Sequence, residues 1–135
     1  MAASRTSLSA GELLREILLD DAEVARLSRG RVYPIVSEKP TTLLPYITYR
    51  RASLEQQPVK GPSVPADRVN IEIVCYAKTY AESITLAEAV RAALDDKQGC
   101  NDAGDLQMRS CYLADSEEDW VADAYAQALI FNVKI

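Results

Sequence analysis

Between residues 67 and 94 the chain reads DRVNIEIVCYAKTYAESITLAEAVRAAL, and the hydrophobic period changes partway along it. Val69, Ile71, Ile73, Cys75 and Ala77 occupy every second position, with polar Asn70 and Glu72 between them, which is the alternation of a strand with one buried face. From about Tyr80 the spacing becomes helical. Leu86, Ala87, Val90, Ala93 and Leu94 share one side, and Glu82, Thr85, Glu88 and Asp95 share the other. A strand running into an amphipathic helix is therefore predicted at the centre of the chain.

The flanking segments supply further elements. Ser9 followed by Glu12 is a capping-box pattern, which predicts a helix whose buried face carries Leu13, Leu14, Ile17 and Leu18. Asp20 or Asp21 is placed to cap a second short helical turn bearing Val24 and Leu27, and Gly30 ends the helical region. Residues 31–36 read as a short strand, and Pro34 assigns it to an edge or a break because proline lacks a ladder amide. Residues 45–52 form a better strand, with Tyr46, Ile47, Thr48 and Tyr49 suited to a pleated surface. Residues 53–66 hold Pro58, Pro62, Pro65, Gly61 and the pair Gln56 and Gln57, and are expected to be a mobile loop. After a turn-rich link at 96–105, residues 106–113 suit another strand. Asp115, Glu117, Glu118 and Asp119 read as an acidic turn, and 121–135 as the closing strand. In that strand Val121, Tyr125, Leu129, Phe131, Val133 and Ile135 share a face, while Ala126, Ala128 and Ile130 point the other way, so both sides of its middle suit burial. The expected fold is α+β: a mainly antiparallel sheet of four to five strands with two main helices packed on one face. It forms a single domain over residues 1–135, with 1–7 frayed.

Composition narrows the function classes. A chain of 135 residues can bury about two-thirds of its unfolded surface in one core. A formal charge of −5 argues against affinity won by neutralising phosphates, so sequence-specific nucleic-acid binding is not expected. No apolar run approaches the roughly 18 residues a membrane span needs, and the N-terminal residues lack the apolar core of a signal peptide; a protein made in the cytoplasm without a membrane partner is expected. Cys75, Cys100 and Cys111 cannot all pair within one chain and lack a C-x-x-C spacing, so reduced thiols are expected, with Cys75 a small core residue and Cys100 an exposed one.

The chain contains no histidine, which removes Ser-His and Cys-His nucleophile pairs and the commonest metal ligand. It also lacks zinc spacing and phosphate-binding glycine loops. No catalytic, cofactor-binding or metal residue is assigned, and no cofactor is expected. The candidate chemistry is that of protein contact. Tyr49, Arg50 and Arg51 combine types enriched at interface anchors, although alternation sends Arg50 to the opposite face from Tyr49 and Arg51. Gln56, Gln57 and Lys60 lie in the expected loop. Tyr76 and Tyr80 flank the strand-to-helix junction, where their rings can pack over the helix start, and Tyr80 is the second candidate contact. Trp120 suits either a core lid or an interface anchor.

The segments RVYP (31–34) and LPYITY (44–49), then I-x-I-x-x-Y-A-x-T-Y-A-E (71–82 within the central unit), an Ala-rich helix and a closing alternating strand resemble the small tail-completion or tail-terminator proteins of long-tailed bacteriophages. The resemblance covers residues 8–135. It implies a virion structural protein without catalysis, which forms a ring at the head-proximal end of the tail tube, ends tail polymerisation and joins the tail to the head. The implied partners are further copies of itself, commonly as a hexamer, the major tail tube protein and a head-side connector protein. An acidic balance suits a ring through which DNA passes without sticking. The alternative is a small host-encoded binding or regulatory domain working through residues 53–66, and an enzyme acting through carboxylates is more distant.

Overall fold

The computed structural model describes residues 5–36, 43–57 and 66–135. A single 3-10 turn at Ser7–Ser9 leads into α1 (Ala10–Asp20) and α2 (Ala22–Ser28), followed by β1 (Val32–Pro34), β2 (Tyr46–Gln57) and β3 (Ala66–Ala77). Helix α3 (Tyr80–Leu94) comes next, then the two-residue strands β4 (Gly99–Cys100) and β5 (Gln107–Met108), and finally β6 (Ser110–Val121) and β7 (Ala124–Lys134). The main sheet has the order β1-β2-β3-β7-β6, antiparallel except for the parallel pairing of β1 with β2. This is the expected α+β fold, with five strands in the main sheet and α1 and α3 as the longer helices.

The alternation in β3 does what its pattern predicts. Val69, Ile71, Ile73, Cys75 and Ala77 are fully buried, and Ile73 pairs with Tyr49 on one side and Leu129 on the other. The first four meet Leu13, Leu14 and Leu18 of α1, Leu86, Val90 and Leu94 of α3, and Phe131 and Val133 of β7 in one core. Among the described residues, no helix packs on the other face of the sheet. There Tyr46 stacks on Tyr76 at 4.7 Å between ring centroids, with Tyr33 tilted against Tyr46 at 6.1 Å. Tyr76 therefore lies away from the start of α3, because position 76 is even and the buried face of β3 is odd.

Several boundaries differ from the sequence expectation. Ser9 makes no side-chain cap bond. Glu12 pairs instead with Arg5 at 3.5 Å, and Thr6 accepts from the Leu8 amide, so the reciprocal capping box is replaced by a 3-10 entry. Asp21 caps α2 as expected, accepting from the Val24 amide at 3.0 Å. Helix α2 closes with Arg29 and Gly30 both at positive φ, 56° and 74°, the left-handed exit for which glycine suits the second position. Residues 53–57 belong to β2, continuing past a bulge between Arg51 and Ser53, so they are strand where a loop was expected. Ala66, at the other end of the expected loop, already belongs to β3, and the expected mobility of 58–65 falls outside the described residues.

The largest correction concerns Asp115, Glu117, Glu118 and Asp119. They are not in a turn but in the middle of β6, and the turn is at Ala122 and Asp123, both at positive φ. Val121 therefore ends β6, and the closing strand starts at Ala124. A run of carboxylates is tolerated here because β6 is the outermost strand. Its amides at Ser116 and Trp120 donate to the carboxylates of Asp115 and Asp119, at 2.8 and 2.7 Å, so side chains occupy an edge that no strand among the described residues covers.

Candidate functional site

The candidate contact residues separate into two groups at opposite margins of the sheet, three strand spacings or about 14 Å across it and offset along the strands as well. The first is the β1–β2 margin. The Tyr49 ring lies over α1 at Gly11, where a Cβ would stand 3.0 Å from the ring, so the helix approaches the strand this closely because position 11 has no side chain. Burial pushes the Tyr49 phenol up, with Arg15 opposing the shift and Glu12 adding to it. Arg50 lies on the uncovered face and bonds Glu72 at 3.0 Å, whereas Arg51 points to the helix side and donates to the Leu8 carbonyl at 3.1 Å. The two arginines thus take opposite faces, as alternation requires.

Between these elements lies an open groove of about 490 Å³, lined by Leu8, Pro34, Ile35, Tyr49, Arg50 and Arg51 among others. Leu8 and Ile35 are 62% and 68% exposed. Ile35 is also held at φ +64°, a conformation that costs a β-branched residue more than most. Its amide donates to the Tyr49 carbonyl at 2.7 Å, and the Val36 amide closes back on the Pro34 carbonyl at 2.7 Å, so a tight three-residue turn holds the isoleucine outward. No periodicity signalled this residue. Gln56 lies further along β2 and is exposed; Gln57 ends the strand, with its side chain outside the described residues, as is Lys60 entirely.

The second group is at the β6 margin. Trp120 is 54% exposed and meets Tyr125 edge-on at 4.8 Å, and Tyr80 meets the same ring edge-on at 5.8 Å. Trp120 is therefore not a core lid: it stands more than half exposed near the end of an outer strand, beside Tyr80 at the start of α3. The Tyr80 hydroxyl donates to Glu118 Oε2 at 2.8 Å, and Gln127 Nε2 donates to the same oxygen at 3.2 Å. Those two donors hold the Glu118 carboxyl below the usual carboxylate range, and the same bond raises the Tyr80 phenol. A shallow cavity of about 200 Å³ opens between Tyr80, Glu118, Asp119, Trp120, Tyr125 and Gln127. Glu118 and Tyr125 joined this group only once β6 was seen as a strand.

Among the described residues no group of three or more His, Cys, Asp or Glu side chains is placed to hold a metal ion. Cys75 and Cys111 are buried, which pushes the Cys75 thiol far up and the Cys111 thiol up to about 12, with Asp95 adding to the latter. Cys100 is the exposed thiol.

A mainly antiparallel sheet with helices over one face, and with its exposed aromatic and charged groups at its two edges, defines an α+β domain whose distinctive surface lies at the sheet margins. The model of the family described as tail completion protein gp17 matches residues 12–130, and the chain belongs to that family. Among solved structures, a chain from the virion of a native gene transfer agent (GTA) particle superimposes with a TM-score of 0.74 at 16% identity, over 96% of this chain and 98% of the other. At that identity the similarity speaks for the fold. No curated protein sequence matches the chain.

Proposed function

We propose that this chain, as one domain over residues 1–135, is a structural protein of a phage-type virion. In this role it assembles as a homo-oligomeric ring, a hexamer, at the head-proximal end of the tail tube. There it ends tube polymerisation and joins the tail to the head-side connector, without catalysis. The observation that carries this reading is the family match over residues 12–130, supported by a fold shared along nearly the full length of both chains with a virion protein. The interface candidates Tyr49, Arg50, Arg51, Gln56, Gln57, Lys60, Tyr80 and Trp120 are proposed as contact residues toward neighbouring copies, the tail tube protein or the connector.

Deleting the gene and imaging the particles by negative-stain electron microscopy tests the role directly. The expected result is tails of uncontrolled length, separate from filled heads, with normal particles restored by the gene in trans. Normal tailed particles from the deletion strain would refute the role. Light scattering on the purified protein tests the ring itself: a closed cyclic species is expected, because ring subunits join through two different surfaces.

A further inference from the structure

Among the described residues, most of the large apolar side chains that are exposed lie at the two sheet margins. Leu8 and Ile35 line the groove at the β1–β2 margin, with Val36 next in the chain, and Tyr80, Trp120 and Val121 lie at the β6 margin, whereas Leu43 precedes β2 and Tyr112 lies elsewhere on β6. The same two margins differ in charge. From residue 110 to 133 the β6–β7 hairpin carries Asp115, Glu117, Glu118, Asp119 and Asp123 and no lysine or arginine. The opposite groove is rimmed by Arg50, paired with Glu72, by Glu12, paired with Arg5, and by Arg51, which has no carboxylate partner among the described residues.

We infer that these margins are the two halves of one interface between copies of this chain: the Tyr80–Trp120–Tyr125 cluster of one copy, flanked by Glu118 and Asp119, docks on the next copy's Leu8–Ile35–Tyr49 groove, flanked by Arg50 and Arg51. The inference rests on the ring reading above and assigns its subunit contact. The apolar parts supply aromatic and aliphatic anchors, and the charged rims fix the pairing. Two acidic margins repel one another, so head-to-tail contact with the arginine-bearing groove is favoured, and repeated contact of that kind closes into a ring when the rotation between copies closes. The strain at Ile35 fits this use, since it presents an apolar side chain to the groove at a cost that an isolated subunit does not recover. The aspartates that occupy the Ser116 and Trp120 amides keep the edge of β6 from adding an arbitrary strand, leaving its side chains to select the partner.

Two variants test the assignment on the full-length protein. Trp120→Ala with Glu118→Lys disables the acidic margin, and Ile35→Asp with Arg51→Glu disables the basic one; all four side chains are exposed or at the groove rim, and circular dichroism checks that each variant folds. Wild type should form the closed oligomer by native mass spectrometry, while each variant alone should associate at least about 30-fold more weakly. An equimolar mixture of the two should give a 1:1 heterodimer that does not grow, because each variant keeps one working margin. If wild type forms rings and either variant also does, the ring stands and this contact falls. If both variants are monomeric and their mixture stays monomeric, the margins do not meet. If wild type remains monomeric at millimolar concentration, the ring and the contact fall together. Should a variant not fold, the wild type still decides: Trp120 is the single tryptophan of the chain, so assembly should shift its emission to shorter wavelength and shield it from a soluble quencher. Equal quenching in monomer and oligomer would overturn the contact.

Discussion

Isoleucine to alanine at two positions of the sheet tests whether its core is one-sided. Ile73 is fully buried at mid-strand in β3, between Tyr49 and Leu129 and beneath the helices. Ile130 of β7 pairs with Glu72, the next residue along β3, and lies half-buried on the face without a helix. The chemistry removed is the same: three carbons, or about 2.4 kcal/mol of transfer free energy at roughly 0.8 kcal/mol each if the site is fully dry. At Ile73 the packed walls cannot close completely, so a cavity term adds to this and the total loss should reach about 3–4 kcal/mol. At Ile130 water already reaches part of the side chain and no cavity forms, so about 1 kcal/mol is expected.

For a chain of this length each kcal/mol corresponds to roughly 3–5 °C in Tm, which places Ile73→Ala about 9–20 °C below wild type and Ile130→Ala within about 5 °C. Urea unfolding followed by circular dichroism gives the free energies. It is run dilute enough that subunits are monomeric, since assembly raises apparent stability by mass action. Equal losses at the two positions would refute the one-sided core, and a loss under about 1 kcal/mol at Ile73 would refute its place at the centre.

Gly11→Val should lose stability out of proportion to its helix propensity, because the new side chain must displace the Tyr49 ring; a melting temperature unchanged from wild type would refute that close approach. Asp21→Ala should cost about 1 kcal/mol in urea unfolding through the lost bond to the Val24 amide, and no change would mean that α2 is not capped there. Near pH 8 a thiol reagent should modify one cysteine per native chain, Cys100, and all three after denaturation; fast reaction of Cys75 or Cys111 in the native protein would refute their burial. Tyr80→Phe should raise the Glu118 carboxyl pKa toward the ordinary value in an NMR titration. A depressed folded value means that this contribution is present above the unfolded pKa and is lost as pH falls through the folded one, so the variant should show less of that loss on acidification; an unmoved Glu118 would refute the hydrogen bond.

The buried half of this protein was written in period. Alternation from Val69 to Ala77 and helical spacing from Leu86 to Leu94 fixed which side of β3 and α3 faces the core, because one-sided burial leaves apolar residues at intervals of two or of three to four. Contact residues followed no such rule. Tyr49, Arg51 and Trp120 were legible as interface-prone types, but which of them stand together depends on strand order, and that order is set by pairings between residues far apart in the chain. Ile35 carried no signal, since a turn placing an isoleucine outward looks like any short apolar stretch until its φ is known.

The acidic run shows most clearly why local chemistry misled. Aspartate is disfavoured in strands because its carboxylate competes for nearby amides, and four acids within five residues therefore suggest a turn. On an outermost strand the same competition becomes an advantage: the amides of Ser116 and Trp120 have no neighbouring strand to meet, and Asp115 and Asp119 satisfy them in place. The residues that argue against a strand in the interior of a sheet are thus those that make one safe at its edge. Whether a carboxylate-rich stretch is turn or edge depends on what pairs with its other side. Here β7 answers that question, through a register running from Ser110 opposite Lys134 to Val121 opposite Ala124 that passes through every one of the acids.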